Sequence, residues 1–132
     1  MRHVRIMLAD DNPDILHLAT RLLAQEFSDI EAVSDGESLL RNYEIWKSDV
    51  VILDISMGKL SGIDVAHRLL KLGHQAKIVF LTVHEEQEFL CGAFGAGGAA
   101  YVVKSCLNSD LMNAIKAVLA GHIFISPSLL QL

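Results

Sequence analysis

The sequence predicts an open α/β sheet assembled from five strand–helix pairs. Three observations carry that prediction. Short apolar runs alternate along the chain with stretches of helical periodicity. The runs hold few polar interruptions, as strands covered on both faces do. Each run also ends abruptly on a polar residue. Alternation of this kind means parallel strands joined by right-handed helical crossovers.

The elements follow in chain order. Val4 to Ala9 is the first apolar run and ends at Asp10 and Asp11. Asn12 then caps a helix whose first turn holds Pro13, where a missing N–H costs nothing. Ile15, Leu18, Ala19 and Leu22 of that helix keep the i, i+3, i+4, i+7 rule. A weaker run, Ile30 to Val33, ends at Ser34. Ser34 and Glu37 read as a capping box ahead of Leu39, Leu40 and Tyr43. Val50 to Leu53 is the third run and ends at Asp54. A third helix is expected from about Gly62 to Leu72, stopped by Gly73. Ile78 to Leu81 ends at Thr82. The fourth helix must lie between Glu85 and about Gly95, with Gly92, Gly95, Gly97 and Gly98 crowding its end. An interior glycine costs a helix about 1 kcal/mol relative to alanine, so this element is expected to be short and mobile. Ala99 to Val103 ends at Lys104. The last helix carries Leu111, Ala114, Ile115, Val118 and Leu119 on one face and ends at Gly121.

Composition narrows the function. A chain of 132 residues, 52% apolar, suits one domain with a real core. The net charge of -5 argues against this segment itself gripping nucleic acid, which needs clustered Lys and Arg. No apolar run reaches the roughly 18 residues of a membrane span, and the first residues do not read as a signal peptide. A cytoplasmic protein without a membrane partner is the expectation. Cys91 and Cys106 read as buried or semi-buried thiols rather than a bridge. Trp46 reads as packing. His3, His17, His67, His74 and His122 read as surface positions. The acidic stretch Glu85-Glu86-Gln87-Glu88 reads as a solvated first turn of the fourth helix.

Ligands on such sheets sit at the carboxyl ends of the strands. Those ends carry Asp10, Asp11, Asp54, Thr82 and Lys104. A lone aspartate after a strand is more often a helix cap, a lone threonine a strand residue, and a lone lysine a solvated charge. Together they make a different site. Three carboxylates in one cleft need a neutralising cation, and an all-oxygen donor set favours Mg²⁺. One carboxylate can then serve as nucleophile toward a phosphoryl group, with the metal and the lysine clamping its oxygens.

Four segments, each ending a predicted strand, carry a family resemblance. They are Leu8-Ala9-Asp10-Asp11, then Ile52-Leu53-Asp54-Ile55-Ser56-Met57 with Ser61-Gly62 behind it, then Phe80-Leu81-Thr82, and Ala100-Tyr101-Val102-Val103-Lys104. With them the chain resembles response-regulator receivers over essentially its whole length. The resemblance implies a flavodoxin-like (βα)5 doubly wound sheet of order 2-1-3-4-5. It implies that Asp54 is the phosphoacceptor. Asp11, Asp54 and the backbone carbonyl of Ser56 would hold Mg²⁺, with Asp10 assisting through water. Lys104 would bind the phosphoryl group, and Thr82 and Tyr101 would be the moving switch pair. Ser56, Val83 and His84 would tune rates. Such a domain catalyses only its own phosphorylation and dephosphorylation, and its partner is a histidine kinase or phosphotransfer protein. Two residues depart from the family pattern. Gly58 stands where proline is usual, which loosens the metal-binding loop. Val83 stands where a small residue is usual, which narrows the entrance.

The segment from Ala114-Ile115 through Gly121 to Ser126-Pro127 resembles the receiver–linker junction of the NarL/FixJ subfamily. That implies a receiver over residues 1–121. Residues 122–132 would begin a linker to a LuxR-type helix-turn-helix domain that binds DNA, with homodimers forming on activation. A stand-alone receiver, or a receiver-like interaction domain with no DNA-binding output, is the alternative. Two further rivals fit less well. A haloacid-dehalogenase-type phosphatase wants an aspartate two positions after the nucleophile, where Ser56 stands. A flavin- or nucleotide-binding domain wants a phosphate-cradling loop where Asp10-Asp11-Asn12-Pro13-Asp14 stands.

Overall fold

The computed structural model describes residues 3–130. The strands are β1 (Arg5–Ala9), β2 (Asp29–Val33), β3 (Val50–Leu53), β4 (Lys77–Thr82), β5 (Gly98–Val103) and β6 (Phe124–Ile125). The helices are α1 (Pro13–Leu23), α2 (Gly36–Ile45), α3 (Gly62–Lys71), α4 (Gln87–Gly95) and α5 (Leu107–Leu119). Two 3₁₀ turns, Lys104–Cys106 and Pro127–Leu130, complete the chain. All strands are parallel, in the order β2-β1-β3-β4-β5-β6. The flavodoxin-like order 2-1-3-4-5 predicted for the first five strands is the one found, with a sixth strand added outside β5. Among the described residues no helix is long and apolar enough to cross a membrane.

Alternation along the strands builds two cores. Met7, Ala9, Val51, Leu53, Ile78, Phe80, Tyr101 and Val103 face α2, α3 and α4. Ile6, Leu8, Val50, Ile52, Val79, Leu81, Ala100 and Val102 face α1 and α5. Both faces of the central strands are therefore dry, which is why they read as continuous apolar runs. Burying each such Ile, Leu or Val contributes about 1.5–3 kcal/mol, and this anchors the strand ends where the polar residues stand.

The helix starts mostly follow their caps. Asn12 Oδ1 accepts from the Asp14 and Ile15 N–H groups, with Pro13 first in α1. Ser61 Oγ accepts from the Asp64 N–H at the start of α3. At α2 the cap is Asp35, whose Oδ1 accepts from Ser38 N–H at 2.7 Å, and not the predicted Ser34–Glu37 box. That bond holds the Asp35 carboxyl below its usual pKa. The fourth helix is short, as expected, and has no side-chain cap at Glu86. The fifth begins a turn earlier than its apolar face indicated, because Leu107 extends the Leu111 row.

Two environments differ from the sequence reading, those of Cys91 and His74, whereas Trp46 packs as expected. Cys91 is exposed on α4 and only Cys106 is half-buried; both are free thiols. His74 is half-buried, whereas His3, His17, His67 and His122 are exposed as expected. Trp46 packs against the core, with the Arg5 guanidinium 5.4 Å above its ring. The tail beyond Gly121 lies along β5, where the Ser126 N–H donates to the Tyr101 carbonyl and Ser126 Oγ accepts from the Val103 N–H. Gln131 and Leu132, the end of the predicted linker, lie outside the described residues.

Candidate functional site

The carboxyl ends of β1, β3, β4 and β5 form one cleft. Asp10 and Asp54 continue β1 and β3 and are tied to the sheet by backbone bonds, Asp10 N–H to Val33 and Asp54 N–H to Ala9. Both carboxylates are buried, while Asp11 next to them is exposed. One carboxylate oxygen from each of the three lies within 4.8 Å of the others. Asp10 Oδ1 accepts from the Asn12 N–H at 2.9 Å, so its direction is fixed.

Lys104, at the end of β5, reaches into this cluster. Its Nζ stands 2.9 Å from Asp10 Oδ2 and 3.1 Å from Asp54 Oδ2. Only the Asp54 contact has hydrogen-bond alignment; Asp10 Oδ2 is buried with an ionic neighbour but no aligned donor. One lysine facing three carboxylates leaves negative charge over. Burial, reinforced by the Asp10 charge and opposed by Lys104, pushes the Asp54 pKa up to about 6. Burial alone would lower the Lys104 pKa, but the Asp10 and Asp54 carboxylates beside its Nζ outweigh that and raise it. An under-satisfied buried carboxylate oxygen beside two further carboxylates is the donor set that a hard divalent cation takes.

The β3–α3 loop is shaped around Asp54. Gly62 N–H donates to the Ile55 carbonyl at 2.8 Å, bringing the start of α3 against the loop that follows Asp54. A Cβ at position 62 would stand 2.1 Å from the Asp54 carbonyl oxygen, so only glycine fits. Gly58 has φ 73°, a conformation closed to the proline that receivers usually carry there. The backbone at this point uses a left-handed conformation that glycine adopts without strain.

A second group of residues roofs the cleft. Ser56 Oγ and His84 Nε2 are 2.7 Å apart, joining the loop after β3 to the loop after β4. The His84 ring stacks on Phe89 of α4 at 4.0 Å, with Nδ1 3.8 Å from Glu86. Its backbone N–H donates to Thr82 Oγ1, and its carbonyl accepts from the Tyr101 hydroxyl at 2.8 Å. Tyr101 is fully buried in the inward orientation. Burial, with the nearby Glu86 and Glu85 charges, pushes its pKa up to about 12. Val83 projects outward, 65% exposed, beside the opening.

The structure thus gathers Asp10, Asp11, Asp54, Thr82 and Lys104 around one cleft, with Ser56 and His84 bonded to each other above it. Sequence reasoning missed the contact of Gly62 with the Asp54 backbone and the stacking of His84 on Phe89. It also missed the seat of Ser126 on β5. The Ser61-Gly62 pair and the Ser126-Pro127 pair were visible as matches, but nothing in either showed what it touches.

Comparison with known proteins agrees with this geometry. Residues 6–116 match the family model for the response regulator receiver domain. The chain is 31% identical over 131 residues to the response regulator GacA of Pseudomonas viridiflava, a match covering 97% of this chain and 61% of that protein. It is 26% identical over 126 residues to the transcriptional regulatory protein DegU of Brevibacillus brevis, covering 94% of this chain and 53% of that one. The chain thus spans little more than half the length of such relatives. Among solved structures, a LuxR-family two-component response regulator from Aurantimonas sp. SI85-9A1 superposes with a TM-score of 0.92 at 30% identity, over 98% of this chain and 94% of that one. A doubly wound sheet with an acidic cleft at its carboxyl edge, matched by that family over most of its length, leaves one assignment: the chain belongs to the response regulator receiver domain family.

Proposed function

We propose that the chain is the phosphoacceptor domain of a two-component response regulator that takes a phosphoryl group on Asp54 with Mg²⁺. The observation that carries this reading is the Asp10–Asp11–Asp54 cluster with Lys104 Nζ inside it. Asp10, Asp11, Asp54 and the Ser56 backbone carbonyl would hold the cation. When bound, it neutralises the carboxylates and draws charge from the phosphoryl oxygens. A carboxylate oxygen of Asp54 attacks phosphorus as the bond to the donor's leaving group breaks, and the leaving group departs with the electron pair. Lys104 releases Asp10 and Asp54 and pairs with a phosphoryl oxygen instead. Thr82 donates its hydroxyl hydrogen to another. Since Thr82 Oγ1 accepts from the His84 N–H, and Tyr101 bonds the His84 carbonyl, movement of Thr82 reaches both. Ligation at Asp54 thereby favours one of two arrangements of the β4–α4 loop.

Ser56, Val83 and His84 set the rate at which water and small donors reach the site. The donor in the cell is a histidine kinase or phosphotransfer protein in the cytoplasm. The output is transcription, exerted as a homodimer through a LuxR-type helix-turn-helix domain that follows residues 122–132. The greater length of the relatives supports that last step.

Incubation with acetyl phosphate and Mg²⁺, followed by intact mass measurement, tests the reading. The chain should gain one phosphate that is labile to acid and alkali, and that is not gained with a chelator present or in Asp54→Asn. Unlabelled wild type, or labelled Asp54→Asn, overturns it. A coding sequence that stops after Leu132 overturns the transcriptional output alone.

A further inference from the structure

Strand β5 delivers Lys104 to the acidic cleft, and the tail beyond Gly121 holds the end of that strand. β5 has β4 on one side and β6 on the other. Alternate residues of a strand direct their backbone groups to the same neighbour. Tyr101 and Val103 direct theirs to the tail. The Tyr101 carbonyl accepts from the Ser126 N–H at 2.9 Å, and the Val103 N–H donates to Ser126 Oγ at 3.0 Å. β4 therefore has no grip on the Val103 N–H. Nor has the backbone of β6, whose pairing with β5 ends at Ile125 and Tyr101. After Ser126 the chain leaves the sheet in the 3₁₀ turn that begins at Pro127. The Ser126 hydroxyl stands in for the strand carbonyl that would come next. Ser126 and Val103 are both buried, and an unpaired N–H between them would be costly.

Val103 is the last residue before Lys104, so what fixes it fixes the root of the lysine. The Lys104 side chain is 11% exposed, and its stem is packed rather than free to search. Its Nζ must stay beside Asp10 and Asp54, at 2.9 and 3.1 Å, to meet a phosphoryl group arriving there. The tail touches the backbone again on the other side of the lysine. A 3₁₀ turn runs from Lys104 to Cys106, and Cys106 Sγ stands 3.8 Å from Ser128 Oγ. Leu129 packs against the core that includes Tyr101 and Val103. Lys104 is thus bracketed by tail contacts at Val103 and Cys106, and the shorter and more buried of the two is the one through Ser126.

We propose that Ser126 is a positioning residue for phosphoryl transfer: by holding the Val103 N–H it fixes the backbone from which Lys104 reaches the phosphoryl group. The proposal rests on Asp54 as the phosphoacceptor. The test is labelling by acetyl phosphate over a range of Mg²⁺ concentrations, read by intact mass, with amide hydrogen exchange at Val103 measured in parallel. Wild type, Ser126→Ala and Ser126→Thr are compared. Ser126→Ala keeps the backbone bond to Tyr101 and removes the acceptor for Val103, so exchange there should quicken. At saturating Mg²⁺ its labelling rate should fall about tenfold, within the ~100-fold that a shift of ~1 Å in a catalytic group can cost. Its half-maximal Mg²⁺ concentration should not rise, because Lys104 is not among the proposed ligands of the cation. General loosening of the cleft would raise that concentration too. In Ser126→Thr, which keeps a hydroxyl, the labelling rate should follow Val103: near wild type where exchange stays slow, reduced where it quickens. Unlabelled wild type overturns the Asp54 reading and this proposal with it. With wild type labelled, an equally fast Ser126→Ala, a rise in its half-maximal Mg²⁺ concentration, or a Ser126→Thr rate that departs from Val103 exchange overturns the positioning role alone.

Discussion

A carboxylate that must attack phosphorus has to be unprotonated, accessible and held still, and burial sets these demands against each other. Asp54 is 3% exposed and faces Asp10, so its proton is held up to a pKa of about 6. The fold thus favours the protonated form. Stability supplied by that proton is full below the unfolded value of 3.8 and is lost as pH rises through about 6. At pH 7.5 the ionised side chain therefore opposes folding, by at most about 3 kcal/mol. Asp54→Asn should raise the melting temperature by several degrees at pH 7.5 in the presence of a chelator, and by little at pH 3.5. Thermal unfolding at the two pH values checks this, and an unchanged wild-type margin at pH 7.5 would mean that Lys104 already compensates the charge. Mg²⁺ should stabilise the wild type and not the variant, since the variant has lost a ligand.

At the scale of elements, the site depends on how closely α3 approaches β3. Gly62→Ala places a methyl group 2.1 Å from the Asp54 carbonyl oxygen, so either the helix start or the loop must shift. The cost should be at least 1–3 kcal/mol, the usual range for ~one excess methylene in a packed place. Chemical denaturation measures that, and slower labelling of Asp54 should accompany it. Strand β6 is held by a different device. Ser126→Ala leaves the buried Val103 N–H without an acceptor and should cost about 1–3 kcal/mol, with faster hydrogen exchange at Val103 as the local signature. These contacts also mark what a sequence can reveal. Strands β1, β3, β4 and β5 were legible because both faces are covered, so their runs are unbroken. The strand-end residues were legible because each directly follows such a run. The Gly62–Asp54 and His84–Phe89 contacts join residues from separate elements, and no local pattern encodes them. Cys106 makes no capping bond at the start of α5, so the first turn of that helix carried no signal. Asp35 outcompeted Ser34 as a cap because its carboxylate bonds the Ser38 N–H directly.

For the whole molecule, the sheet is the frame that separates two unlike ends. Its carboxyl edge gathers the acidic cleft, and its amino edge holds a cavity lined by Ser48 and His74. The sheet also has to end somewhere. Only two residues of β6 pair with β5, at Ala100–Phe124 and Tyr101–Ile125. Yet together with Ser126 they occupy the outer backbone edge of a strand whose last four residues are buried. Without them, β5 would present an apolar strand with open N–H and C=O groups to any chain that met it, the template on which sheets grow between molecules. A chain shortened after Gly121 should keep its helical circular dichroism but scatter light increasingly with time and concentration. The short tail would then be a guard on the solubility of the domain that precedes it.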